Sequence, residues 1–478
     1  MKYLLASFLL LFVLHNAQVL QAKITLPSIY SDGMVLQRNK PIKIWGEASH
    51  GEEFALSFAN KTYQIQADGN GRWSALLPKL KEGGPYELDI VGKENRIRIQ
   101  DILIGDVWFC SGQSNMQWVV NNVTNAEAEK QKADYPQIRT LNMPRRMSLA
   151  PLDTVSAQWE VCSPQTVGKC SGVAYFFAKK VYEETHIPIG IINSSWGGTV
   201  VETWTSIEAA STLSPEMFKR FTKEKSTLIP PMEFFEEKKK VPVRNDYPSL
   251  VYNAMVNPLL SLAIKGVVWY QGEDNVGKAE HYSDWLACMI SDWRLRWDTN
   301  LPFYIVQLPN FDSLNKQPLW AEMREEQCEV LAIDNTHLIV TTDLGDPRDL
   351  HPRNKQEVGV RVALQVLNHE YGRKDIVSES PMFHSMKIEG NKAVVTFKHI
   401  GSGLEIRSRY GCLQGFAIAG ADKIFHWANA KLEKDNKVIV WSKKVQKPLF
   451  VRYNWENNPD GNLYNKDGLP ACSFRTDH

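Results

Sequence analysis

Ser114 is the residue best placed to do chemistry. It lies in the run Ser111-Gly112-Gln113-Ser114-Asn115, directly after the apolar stretch Val107–Cys110. A buried strand that ends in a glycine-containing polar turn presents a reactive side chain at the carboxyl edge of a sheet. Gly112 lets the chain turn where a Cβ would clash. A serine so placed is a candidate nucleophile, and it needs a base to take its proton and donors for the oxyanion that follows. Three other turns carry suitable groups: Asn193-Ser194-Ser195-Trp196-Gly197-Gly198-Thr199, Gln271-Gly272-Glu273-Asp274-Asn275, and Asp343-Leu344-Gly345-Asp346-Pro347-Arg348-Asp349-Leu350-His351-Pro352. The last combines carboxylates with an imidazole, whose charge changes near neutral pH and which therefore suits general-base work.

Each turn follows an apolar run: Ile189–Ile192, Gly266–Tyr270 and His337–Thr342 repeat the pattern of Val107–Cys110. In a parallel sheet such turns meet along one edge, where ligands bind. Helical patterns alternate with these runs. Apolar residues recur at helical spacing over Gly172–Thr185, over Tyr252–Leu262 with a proline interruption, and over Tyr282–Trp297. Strands alternating with helices predict a parallel three-layer α/β/α domain over residues 101–375. Short alternating runs separated by Gly/Asn turns predict a small β-sandwich over 23–100. A second β-rich module is expected over 376–478, with strands such as Lys437–Ser442 and Pro448–Tyr453. The polar, Pro-containing segment Ser211–Arg244 reads as an exposed insertion.

The blocks Gly-Gln-Ser-Asn-Met, Trp-Gly-Gly-Thr, Trp-Tyr-Gln-Gly-Glu-x-Asn and Asp-x-His-Pro, in this order, resemble those of the sialate O-acetylesterases in the SGNH/GDSL hydrolase superfamily. The similarity extends into both flanks, through Ile29-Tyr-Ser-Asp-Gly-Met-Val-Leu-Gln37 and Asn462–Ala471. It implies an SGNH-type α/β hydrolase domain and a serine esterase that removes O-acetyl groups from sugars through an acyl-enzyme. Sialic acid is the expected substrate, with acetylated xylan or another glycan as the alternative; a non-catalytic carbohydrate-binding protein is a different class. No cofactor and no metal is expected.

The resemblance makes His351 the base for Ser114. The superfamily spacing Asp-x-x-His is not kept, because Arg348 stands three residues before His351. Asp349, two before, is the expected third catalytic residue; Asp346, five before, and a Ser–His dyad are the alternatives. The oxyanion donors implied are the Ser114 N–H, a backbone N–H from Gly197 or Gly198, and a side-chain amide from Gln271 or Asn275. Trp196 and Glu273 are candidates for substrate binding, and Glu202 and Arg324 are placed near the site by the same resemblance. Trp269 lies inside its strand and reads as packing.

Residues 1–22 have a charged start, an apolar core and a small-residue end at Leu20-Gln21-Ala22, which reads as a secretory signal and predicts an exported protein. That leader contributes only Lys2, so 54 basic residues face 54 acidic ones afterwards. Neutrality argues against nucleic acid or an anionic membrane surface as a partner. Seven cysteines, at 110, 162, 170, 288, 328, 412 and 472, show no metal-type Cys-x-x-Cys spacing. Cys162 and Cys170 are near enough in sequence to close a small loop in an oxidising compartment, while Cys110 and Cys288 read as buried thiols. The oligomeric state is not legible.

Overall fold

The chain is described as a computed structural model covering residues 23–213, 248–312, 317 and 319–478. The expected signal segment lies outside these residues, as does the expected insertion from residue 214 onward. Strand β1 (Arg96–Gly112) organises everything else. Its first half pairs antiparallel with the strand Gly83–Val91. Its second half runs buried between two parallel neighbours, β4 (Ile189–Ser195) and β5 (Gly266–Tyr270). The change of fold expected at residue 101 therefore falls inside one strand. The reason is visible in the sequence pattern: Ile102–Cys110 is apolar enough to be covered on both faces, which parallel strands require.

Four more strands complete the central sheet: β2 (Tyr135–Asn142), β3 (Trp159–Cys162), β6 (Phe303–Val306) and β7 (Thr336–Ile339). The order is β7-β6-β5-β1-β4-β2-β3. Every neighbouring pair is parallel except β2–β3. Alternate residues of β1 face opposite helices. Trp108 meets Phe177 of α2 (Gly172–Thr185) edge-on at 5.2 Å, and Phe109 meets Trp293 of α3 (Tyr282–Arg296) in the same way at 5.2 Å. Helix α5 (Lys355–Glu370) lies beside α2, and α4 (Leu319–Glu329) beside α3. The α2 N-terminus is capped by Ser171 Oγ, which accepts the Ala174 N–H at 3.3 Å. The proline interruption ends a short helix, Leu250–Met255, ahead of Pro258.

Both flanks are β-rich. The paired strands Ile42–Glu47 and Arg72–Leu77 cover the sheet formed by Glu53–Phe58, Lys61–Gln66 and Gly83–Val91, around Ile44, Trp73, Leu56 and Ile90. Two four-stranded antiparallel sheets between Met382 and Arg475 share a core containing Val395, Val440, Ile418 and Tyr453. All seven cysteines are free thiols. Cys162 and Cys170 do not close the expected loop; burial pushes their thiols up to about 12 and about 11, and Cys170 Sγ sits 3.3 Å from Thr140 Oγ1.

Candidate active site

The register sets the height of the site. Gly112 at the end of β1 is level with Ser195 of β4 and Tyr270 of β5. Gly112 has φ +132°, and a Cβ there would sit 2.1 Å from the Tyr270 carbonyl oxygen, so only glycine lets the strands stay this close. The chain then enters the single helical turn α1 (Ser114–Gln117), with Ser114 half-buried at its first position. The Gln113 carbonyl already accepts the Met116 and Gln117 N–H groups. Gly197 presses against the serine: a Cβ on Gly197 would lie 3.1 Å from Ser114 Cβ.

His351 reaches the same place from the loop after β7. Its ring stacks on Trp118 with centroids 5.0 Å apart and 9° between planes. Nε2 is buried and has no hydrogen-bond partner among the described residues. Burial lowers the imidazole pKa, the Lys355 cation lowers it further, and Asp349 opposes both. Asp349 Oδ1 accepts the His351 backbone N–H at 2.9 Å, while Asp346 Oδ1 accepts that of Arg348 at 2.9 Å. Both carboxylates thus shape the turn through the local bonds that aspartate favours.

Asn115 ties the serine turn to the histidine loop. It is fully buried, and its Nδ2 donates to Glu273 Oε1 at 2.5 Å and to the Leu350 carbonyl at 3.1 Å. Its Oδ1 accepts from Lys355 Nζ at 2.5 Å. Lys355 is also without solvent exposure and lies 5.6 Å from the centre of the Tyr270 ring. Burial brings its pKa down to about 7, opposed by Glu273 and Asp349. Burial likewise raises Glu273 to about 7, opposed by Asn115 and Lys355. A buried carboxyl and a buried ammonium are thus bridged by one amide beside the serine, and each is costly without the other.

The two amides of the third turn have different surroundings. Gln271 is fully buried; its Nε2 donates to Gln113 Oε1, the Thr199 carbonyl and Asn275 Oδ1 at 3.1, 3.0 and 2.8 Å. Its Oε1 accepts from Tyr282 Oη at 3.0 Å. Asn275 Oδ1 also accepts the Val201 N–H at 3.1 Å, and Asn275 Nδ2 donates to Glu202 Oε2 at 3.0 Å. Asn275 therefore holds Val201 and Glu202, just beyond the Gly197–Gly198 turn, where Gly198 has φ +75°. The Gly197 N–H donates to Gln117 Oε1 at 2.7 Å. Trp196 is half-buried beside this turn, and its N–H donates to the Gly112 carbonyl at 2.9 Å. Trp269 is buried among Trp204, Trp293 and Tyr282. Arg324 points elsewhere: fully buried, it donates to the carbonyls of Glu456, Asn457 and Pro309, and burial lowers its pKa to about 10.

Asn115, Gln117, Trp118 and Lys355 were not singled out by sequence reasoning. Lys355 did leave a signal. It shares a helical stripe with Val358, Val362 and Val366, where a lysine is out of place unless it has a buried partner. Asn115 gave none, because its partners lie 158 and 240 residues away in the chain.

The profile of one family, described as carbohydrate esterase, sialic acid-specific acetylesterase, matches residues 104–368. The chain is 31% identical over 409 residues to the sialate O-acetylesterase of Rattus norvegicus, covering 73% of this chain and 74% of that one. It is 29% identical over 414 residues to the Homo sapiens enzyme of the same name, covering 78% and 76%. Among solved structures, a carbohydrate acetylesterase from Xanthomonas citri superposes with a TM-score of 0.86 at 37% identity, over 95% of this chain and 99% of that one.

Proposed function

The chain belongs to the sialic acid-specific acetylesterase family of carbohydrate esterases, and from that premise we propose that it is a serine esterase releasing acetate from O-acetylated sialic acids. The observation that carries this reading is the Asn115 amide, which fastens the Ser114 turn to the Leu350 carbonyl beside His351. It supports Ser114 as nucleophile and His351 as base. In this reading Ser114 Oγ attacks the acetyl carbonyl and its proton passes to His351 Nε2, the buried nitrogen without a partner among the described residues. The carbonyl π electrons move onto oxygen, and the tetrahedral intermediate then expels the sugar oxygen, which takes the proton from His351. Water, deprotonated by the same nitrogen, hydrolyses the acetyl-serine.

The oxyanion is assigned to the Ser114 and Gly197 N–H groups, the oxygen taking the place now held by Gln117 Oε1. Asn275 holds Val201 and Glu202 just beyond that turn, and Gln271, spent on buried acceptors, holds Gln113 and Asn275 in register. Asp349 is assigned to orienting the imidazole, with Oδ1 on the backbone and the second oxygen left for the ring. The scaffold around these residues is assigned to the SGNH-type three-layer class, on the strength of helices on both faces of a parallel sheet with the serine at its carboxyl edge. The Met1–Ala22 pattern supports export. Acetate release from a panel of O-acetylated sialic acids and acetyl-xylo-oligosaccharides tests the substrate. Faster turnover of the sialic acids is expected; preference for the xylo-oligosaccharides would replace the sialate reading with a xylan esterase.

A further inference from the structure

The C-terminal module carries a pocket that the ester chemistry does not use. Its floor is a row across three antiparallel strands, Trp427–Ala417–Arg452, in which directly opposed residues share a face. Ala417 is small, so the row is open in the middle and walled at its ends. Trp427 is 64% exposed, unusual for the largest side chain. Arg452 lies over Phe425, with its guanidinium carbon 4.0 Å from the ring centre, and is held by both carboxylate oxygens of Asp477 at 3.0 and 2.5 Å. Asn454, Glu456 and Asp460 complete the wall, enclosing about 250 Å³. That is less than the roughly 300–1,000 Å³ of sites for drug-sized ligands, and suits one sugar ring with the rest of a chain outside.

The lining also indicates which sugar. An indole face packs against the C–H face of a pyranose, and planar polar groups around it bond the equatorial hydroxyls. Asp477 offsets the charge of Arg452, whereas Glu456 and Asp460 leave carboxylates at the rim. Burial and the Asp460 charge both raise the Glu456 pKa. An anionic sugar would meet like charge there, and a neutral one would find acceptors. We propose that this pocket is a second carbohydrate subsite, binding one neutral hexopyranose ring of a longer glycan between Trp427 and Arg452.

The pocket is rigidly placed relative to the ester site. The Glu456 carbonyl accepts from Arg324, and Asn457 Oδ1 accepts the Trp320 N–H at 3.0 Å. Asn458 Oδ1 accepts from Asn310 Nδ2 at 2.8 Å, while Asn310 Oδ1 accepts the Gly345 N–H at 2.7 Å, in the loop that leads to His351. One layer of loop thus joins the pocket wall to the base-bearing loop. A glycan held at Trp427 would be retained by the same rigid body that cleaves its acetyl groups.

Binding does not depend on Ser114, so it is measured by calorimetry on the full chain carrying Ser114→Ala. The probes are neutral oligomers of glucose, mannose and galactose, with free sialic acid as the anionic control. Saturable binding of at least one neutral oligomer is expected. Trp427→Ala should weaken it about tenfold, the worth of one aromatic stack, and Trp427→Phe should restore most of it. In the active enzyme Trp427→Ala should leave turnover of a small aryl acetate unchanged while raising KM, and not kcat, on an acetylated polysaccharide of the bound sugar. No binding by any neutral oligomer, or equal binding by Trp427→Ala, overturns the subsite. Loss of sialic acid binding alone in Trp427→Ala overturns its neutrality. None of these outcomes bears on whether Ser114 is the nucleophile.

Discussion

Replacing Lys355 by methionine tests whether the charge beside the serine is as buried as its surroundings require. Its ammonium has no solvent contact and donates to Asn115 Oδ1, with a pKa brought from 10.5 to about 7. A lysine with a depressed folded pKa binds fewer protons folded than unfolded between those two values. Its contribution therefore makes stability rise with pH from about 7 towards 10.5, with a limiting slope of about 1.4 kcal/mol per unit. Methionine does not titrate, so the variant loses that rise. Glu273 acts in the same direction: without Lys355 its raised pKa moves further up, and a raised carboxyl pKa gives stability that falls as pH rises through it. The unfolding free energy of the native chain minus that of Lys355→Met, from urea titrations, should grow by about 1.4 kcal/mol or more per unit between about pH 8 and 9.5. Activity should follow a separate sign. Lys355 helps lower the His351 pKa, so its removal should move the acid limb of the kcat/KM profile to higher pH. A stability difference that stays flat with pH would refute the buried-cation reasoning, and an acid limb that stays put would separate Lys355 from the base.

Other expectations follow from the same contacts. Asp349→Asn keeps an oxygen for the His351 N–H and removes only the charge; if the carboxylate orients the ring, kcat should fall by up to about 10⁴, while Asp346→Asn should be mild. Asp349→Asn with most of its kcat and a native circular dichroism spectrum would leave a Ser–His dyad. Asn275→Ala should lower kcat by loosening Val201 and Glu202 just beyond the Gly197–Gly198 turn, by less than the about 10²–10³ that loss of an oxyanion donor itself costs. Gln271→Ala should instead cost about 1–3 kcal/mol of unfolding free energy, because buried acceptors lose their donor; thermal melts and initial rates on both variants distinguish the two roles. Sequencing the exported protein from its native host should find Lys23 first, and an intact Met1 would contradict cleavage.

The strand–turn units that carry Ser114, Gly197, Asn275 and His351 were legible because apolar runs and glycine turns are local signals. The helix Gly172–Thr185 was readable to its ends, since Ser171 caps it through its own next turn. Two features were not. The continuity of Arg96–Gly112 across the expected boundary at 101 depends on partners from both sides, which one strand's pattern does not record. The division of labour between Gln271 and Asn275 depends on Tyr282, Thr199 and Glu202, whose approach is a matter of tertiary packing. The Glu273–Asn115–Lys355 bridge combines both difficulties: its residues lie on three separate segments, and only contact among them explains their burial.

The central claim is that Ser114 becomes acetylated. The direct measurement is rapid quench of the enzyme with an O-acetylated sialic acid, followed by peptide mass analysis, in parallel with Ser114→Ala. An acetyl group on the peptide carrying Ser114, absent from Ser114→Ala, together with turnover in the variant reduced to residual oxyanion-hole catalysis, is the predicted result. Near-native acetate release by a folded, uncontaminated Ser114→Ala enzyme would contradict it.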